Sequence, residues 1–167
     1  IPLLSKFFYS EIPSDRHMVR EMLKAIDKDE YLRTKEVFEG TQACLDMIEK
    51  SSIKNDTHWS AYLLQISNYV NLLWEHDMTV GAGRGSGVGF IVLYMLGIIQ
   101  INCNREEVRT FPWRFLNPDR KSILDIDLDI SGANRDRAVD ILKEEYGADR
   151  ISKVLTVSTE KSRSALQ

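Results

Sequence analysis

Cysteine and proline are scarce in this chain, with two cysteines, Cys44 and Cys103, and four prolines among 167 residues. Two widely separated thiols cannot build the disulfide framework of a small secreted fold. With no signal-peptide pattern, they read as buried or free thiols in a reducing, cytoplasmic setting. Long apolar runs are also lacking. The longest, 87–101, contains three glycines and a glutamine and falls short of the ~20 residues that cross a bilayer. It is expected to be a buried core segment, with no membrane involved. Positive charge is not in excess either, because the formal net charge is -3. That is the wrong sign for gripping nucleic acid through the overall field, so a DNA partner would have to be held by local arginines or by further domains. What is present, 43% hydrophobic and 28% charged residues, is ordinary for a soluble globular domain. A chain of about 150 residues can hide roughly two-thirds of its unfolded surface.

From Asp15 to about Lys50, apolar residues recur at helical spacing: Met18, Met22, Ala25 and Ile26, then Val37, Cys44, Leu45 and Ile48. This predicts two or three amphipathic helices. The polar stretch 51–57 punctuates them, with Asp56 or Thr57 placed to N-cap a helix from about His58 to His76. On that helix Trp59, Leu63, Leu64, Ser67, Val70, Asn71 and Trp74 fall on one side, a stripe best explained by core packing. The segment 78–80 is a short strand candidate, 81–87 a glycine-rich turn, and Val88 to about Leu96 a buried helix. A short extended piece is expected at 98–101 and a turn at 117–122. The segment 123–130 alternates apolar and acidic residues with the period of a strand. An amphipathic helix then begins at Asn134, carries Ala138, Val139, Ile141, Leu142 and Tyr146, and stops at Gly147. A strand at 151–157 follows. The expected class is α+β, or α/β-like.

Two elements carry chemistry. In a strand Asp125, Asp127 and Asp129 would project from one face and Ile126, Leu128 and Ile130 from the other. Carboxylates about 6–7 Å apart repel, and a divalent cation or an arginine clamp relieves the repulsion. A magnesium site fits the pattern; the plain alternative is an acidic, solvated strand face. In the turn, Gly83, Gly85 and Gly87 allow close backbone approach. The start of the next helix, Arg84 and the Ser86 hydroxyl would together make a phosphate cradle. The spacing matches neither a Walker A loop nor a dinucleotide fingerprint, and a simple structural turn is the alternative. A phosphate loop followed by a strand of paired aspartates is the logic of a nucleotidyltransferase.

At this point the residues resemble a known family. The stretches GAGRGSGVGFIVLYMLGI (81–98), RFLNPDR (114–120) and DIDLD (125–129) look like successive palm motifs of the bacterial, C-family DNA polymerase III alpha subunit, in order and approximate spacing. The likeness continues through 134–137, 143–151 and 156–159, and so covers about Trp59 to the C-terminus. It implies a nucleotidyltransferase-type palm sheet packed by helices and preceded by an N-terminal helical segment. The corresponding division is 1–57, a linker or tail, and 58–167, a partial palm. The resemblance places the incoming triphosphate on Gly85 and Ser86, with Arg84 beside them and Arg114 and Arg120 near the phosphates. It assigns two magnesium ions to Asp125 and Asp127, which are then the catalytic residues, with Asp129 as an outer carboxylate. Primer–template DNA, deoxynucleoside triphosphates, and other replicase subunits or the remaining polymerase domains are the implied partners.

Departures from the family pattern at Ala82, Phe90, Trp113 and Leu124 point to a divergent relative, of the kind a phage carries. The family's third catalytic aspartate would lie beyond Gln167. Losing one metal ligand at about 4 kcal/mol costs roughly a thousandfold in rate, so the expectation is a palm fragment of a two-metal DNA polymerase that is inactive alone. Two other readings stay open: a small stand-alone nucleotidyltransferase, and a non-catalytic palm-like subunit completed by another chain.

Overall fold

The computed structural model describes residues 2–104, 111–119 and 124–153. Six α-helices are found among them: α1 Pro2–Phe8, α2 Pro13–Lys28, α3 Lys35–Asn55, α4 Trp59–Glu75, α5 Ile91–Met95 and α6 Arg135–Tyr146. Short 3₁₀ turns lie at Glu30–Leu32, Gly85–Gly89, Pro112–Arg114 and Gly132–Asn134.

The helix ends follow local chemistry. Pro13 opens α2, where a missing N–H costs nothing, with Asp15 in the first turn and Lys28 in the last, each complementing the helix dipole. The Thr34 hydroxyl accepts the Val37 N–H at 3.3 Å and caps α3. Asp56, expected as an N-cap, instead ends α3 in the left-handed conformation at φ 48°. Thr57 does not cap α4 either: His58 precedes that helix without a side-chain cap, and the Thr57 hydroxyl donates to the Asn55 carbonyl at 3.0 Å. Residues between two helices serve whichever end their backbone completes, and here it is the earlier one. At the far end of α4 the Met78 N–H returns to the Leu73 carbonyl at 2.9 Å and Asp77 to Trp74 at 3.0 Å, the paired bonds of a Schellman stop. Helix α6 ends at Gly147, as its sequence predicted.

Helix α5 is apolar all round and lies at the centre of the core: Ile91, Val92 and Leu93 are buried, as are Phe90 before it and Ile98 and Ile99 after it. Around it pack Met18 and Met22 of α2, Leu45 and Ile48 of α3, and Trp59 and Leu63 of α4. A smaller cluster joins Val70 and Leu73 of α4, Met78 and Val80, and Ala138 and Ile141 of α6, with Leu128 touching both clusters. The inward stripe of α4 therefore uses Leu73, while Asn71 and Trp74 of the expected stripe are exposed. Buried polar groups are tied across elements. The Ser67 hydroxyl donates to the Leu96 carbonyl at 2.6 Å, and the Trp59 indole N–H donates to Ser51 Oγ at 3.0 Å. Both thiols are free and buried. Among the described residues no helix is long and apolar enough to cross a membrane.

The expected α+β class with a palm sheet is not what is found: the described residues contain no strand, and their architecture is all-α. The strand candidates 78–80 and 123–130 meet in a single antiparallel bridge, Val80 with Ile130, beside which the Gly81 N–H donates to the Asp129 carbonyl at 2.8 Å. From 124 to 130 the chain still alternates inward and outward, with Leu124 buried, Ile126, Leu128 and Ile130 partly covered, and all three aspartates exposed. Period-two alternation reports a segment half buried on one side. A strand needs in addition a neighbour that takes its N–H and C=O groups, and the pattern carries no information on that. The expected extended piece at 98–101 is likewise no strand: the Ile98 N–H closes the end of α5 on the Leu93 carbonyl at 2.9 Å. The long helix expected over 88–96 is divided into the turn Gly85–Gly89 and the five-residue α5. Of the strand expected at 151–157, residues 151–153 are in no regular element, and the remainder lies outside the described residues.

Candidate active site

The glycine-rich turn is pressed against the acidic segment by backbone. A side-chain carbon on Gly81 would lie 2.8 Å from Asp129 Cβ, so a residue without Cβ is what allows the 2.8 Å bond from the Gly81 N–H to the Asp129 carbonyl. Gly85 sits at φ +62°, and a Cβ there would lie 3.3 Å from Asp127 Oδ2. The loop thus passes within van der Waals reach of the carboxylate. The result is a small cleft lined by Arg84, Ser86, Gly87, Leu93, Ile99, Asp125, Ile126 and Asp127. It gathers Arg84, Ser86 and Gly87 from one segment and Asp125 and Asp127 from another, far along the chain, with Gly85 beside Asp127.

Arg84 closes one side of it. Its Nη1 donates to Asp129 Oδ1 at 3.0 Å, and its Nε lies 3.7 Å from Asp127 Oδ2. The hydrogen bond to Asp129 and the charges of Asp129 and Asp127 hold the guanidinium in its charged form more firmly than usual. The repulsion along the acidic face is therefore relieved by an arginine clamp. Tyr62 of α4 lies close enough to this segment to feel the charge of Asp125. Burial pushes its phenol up from the ordinary value, and the charge of Asp125 adds to this, while a backbone contact at Ile126 opposes it. Sequence reasoning had no handle on Tyr62, which falls off the apolar stripe of α4 and is influenced by the charge of Asp125, a residue distant in sequence.

Arg114 stands on the turn Pro112–Arg114, which packs against the turn Gly85–Gly89. Phe115 anchors it: its ring meets the buried Phe90 at 4.9 Å between centroids. Arg114 is exposed and is not among the residues lining the cleft. Arg120 lies outside the described residues. The helix start expected to complete a phosphate cradle belongs to a helix of only five residues, so the donors on offer are the turn's own N–H groups and the Ser86 hydroxyl.

A divalent ion, implied by the family resemblance, suits these donors. Asp125 and Asp127 place two exposed, hard oxygen ligands at one cleft, and magnesium characteristically takes one or two carboxylates and completes its shell with water and substrate phosphates. Among the described residues no group of three or more His, Cys, Asp or Glu is gathered to hold an ion without such help.

Comparison with known proteins decides the family. Residues 16–167 match the family described as "Bacterial DNA polymerase III alpha NTPase domain". The chain belongs to the bacterial DNA polymerase III alpha family. Over 116 residues it is 36% identical to the DNA polymerase III subunit alpha of Deinococcus radiodurans, covering 70% of this chain and 8% of that protein. Against the same subunit of Aquifex aeolicus the identity is 29% over 173 aligned positions, 99% of this chain and 14% of the relative. A DNA-directed DNA polymerase of Bacillus phage SPbeta is 34% identical over 120 residues, 70% of this chain and 9% of the phage protein. The chain thus spans roughly a tenth of the length of the polymerase relatives it matches.

Proposed function

We propose that this chain is part of the catalytic region of a DNA-directed DNA polymerase, with the cleft between the glycine-rich turn and the acidic segment as its nucleotide site. The observation that carries the reading is the convergence of Arg84 and Ser86 with Asp125 and Asp127 around one cleft in a member of this family. Deoxynucleoside triphosphates and primer–template DNA are the substrates, and other replicase subunits or further domains are the partners. Residues 1–57 form a helical segment ahead of the catalytic part, 58–167. The setting is cytoplasmic.

The chain's own groups have separate tasks. Gly85 admits the triphosphate close to the backbone, because a Cβ would intrude there. The Ser86 hydroxyl and the turn's N–H groups donate to phosphate oxygens. Arg84 exchanges its bond to Asp129 for the phosphates, and Arg114 and Arg120 add charge from the flanking segment. Asp125 and Asp127 would hold magnesium ions, which when bound neutralise phosphate charge and favour in-line displacement by a primer hydroxyl. Alone, the chain is proposed to extend primers little or not at all.

The test is a titration of the chain with magnesium or manganese plus a deoxynucleoside triphosphate, comparing wild type with Asp125→Ala and Ser86→Ala. Saturable, metal-dependent binding that both substitutions weaken by tenfold or more is expected. Equal binding by all three proteins would remove the cleft from consideration.

A further inference from the structure

Beside the cleft, two large aromatic side chains stand in water. Phe111 is 54% exposed and Trp113 52%, and their rings stack at 4.5 Å between centroids with 25° between planes. Such surface is normally buried, and here it is held open on a firm base. The Arg114 and Phe115 N–H groups bond back to the Phe111 and Pro112 carbonyls at 3.2 and 3.1 Å. Phe115 lies on Phe90 at 4.9 Å, and the next residue, Leu116, is buried in the main cluster. Pro112, with its fixed φ, separates the two rings by one position. Stacking covers one face of each ring, and about half of each residue's surface stays exposed. Arg114 follows directly with a positive charge, and the turn packs against Gly85–Gly89.

We propose that Phe111 and Trp113 form a platform on which an unpaired nucleobase stacks, with Arg114 meeting the adjoining phosphate. Flat aromatic faces beside a cation are the ordinary means of holding single-stranded nucleic acid without regard to sequence, since every base offers a π-face. A base inside a duplex is already stacked on both sides, so the ligand is a single strand or a free nucleotide. The proposal deepens the polymerase reading and rests on it for the source of the base, but its site is separate from the carboxylates.

The experiment measures binding of the chain to two probes, a fluorescein-labelled thymidine oligonucleotide and a fluorescent deoxyadenosine triphosphate, without added metal. Wild type is compared with Phe111→Ala, Trp113→Ala, Trp113→Phe and Ile53→Ala. Both aromatic positions are exposed, and circular dichroism checks that the variants keep their helices. The alanine variants are expected to bind at least one probe about tenfold or more weakly, as the known range for base stacking implies. Trp113→Phe should stay within about threefold, and Ile53→Ala, an exposed position on α3 away from the cleft, should be unaffected. Loss confined to the oligonucleotide assigns the platform to a strand, and loss confined to the nucleotide assigns it to the incoming base. Alanine variants within twofold of wild type on both probes, or no wild-type binding to either, would overturn the platform and leave the metal-dependent titration of the cleft standing. Where the oligonucleotide is the probe that weakens, a 4-thiothymidine oligonucleotide that crosslinks only elsewhere than 111–114 would overturn it as well.

Discussion

Gly85 combines a left-handed backbone with a close approach to a carboxylate of the candidate site. Its φ of +62° is left-handed, and a Cβ there would press on Asp127 Oδ2 at 3.3 Å. An L-residue in this conformation costs about 1–2 kcal/mol, and Asn tolerates it better than most. Gly85→Ala is therefore expected to lower the stability read by urea denaturation by about that amount, and Gly85→Asn by less. Both should weaken nucleotide binding, because either side chain fills the approach to Asp127. Equal stability of Gly85→Ala and wild type would mean that the turn adopts another conformation. The three glycines and the three aspartates were legible as sequence features. That Arg84 would spend its charge on Asp129 and Asp127 was not, because the contact depends on how two distant segments are seated. Tyr62 was invisible for the same reason.

At the scale of elements, helix existence was readable and helix boundaries less so. The periodicity of 15–50 and 58–76 follows from one face packing on the core, and α2, α3 and α4 lie where it places them. Their ends depend on which backbone groups meet, which is why Asp56 closes α3 rather than opening α4. Two substitutions separate the contributions of packing and capping. Leu63 is fully buried in the main cluster, so Leu63→Ala should cost about 2–5 kcal/mol. Thr34→Ala removes only the α3 cap and should cost about 1 kcal/mol. Thermal unfolding followed by circular dichroism measures both, and a cap loss as large as the core loss would contradict this account of α3.

For the molecule as a whole, the buried thiols link stability to pH. Burial, and then the charge of the neighbouring Cys103, push the Cys44 thiol from an ordinary 9.0 up to about 12, and burial pushes Cys103 up to about 11. The folded chain thus keeps protons that the unfolded chain releases from about pH 9 upward. Its stability is undiminished by these groups below that pH and falls as pH rises towards 12. Wild type should lose more stability between pH 8 and pH 10.5 than Cys44→Ala does, even though the variant starts lower. Parallel losses in urea midpoint would show that Cys44 is not the group responsible.

Family membership, the buried run through α5 and the pairing of a glycine-rich turn with an acidic segment could all be read before any coordinates, because each depends on residue type and short-range order. The class of the fold could not. Alternation along 124–130 records which side chains face the core, and the same record is left by a strand in a sheet and by an extended segment touching one neighbour at Val80 and Ile130. Hydrogen-bond partners between distant segments are set by the packing of whole elements. That packing also brought Arg84 and the aspartates into one place and left Phe111 and Trp113 stacked in water.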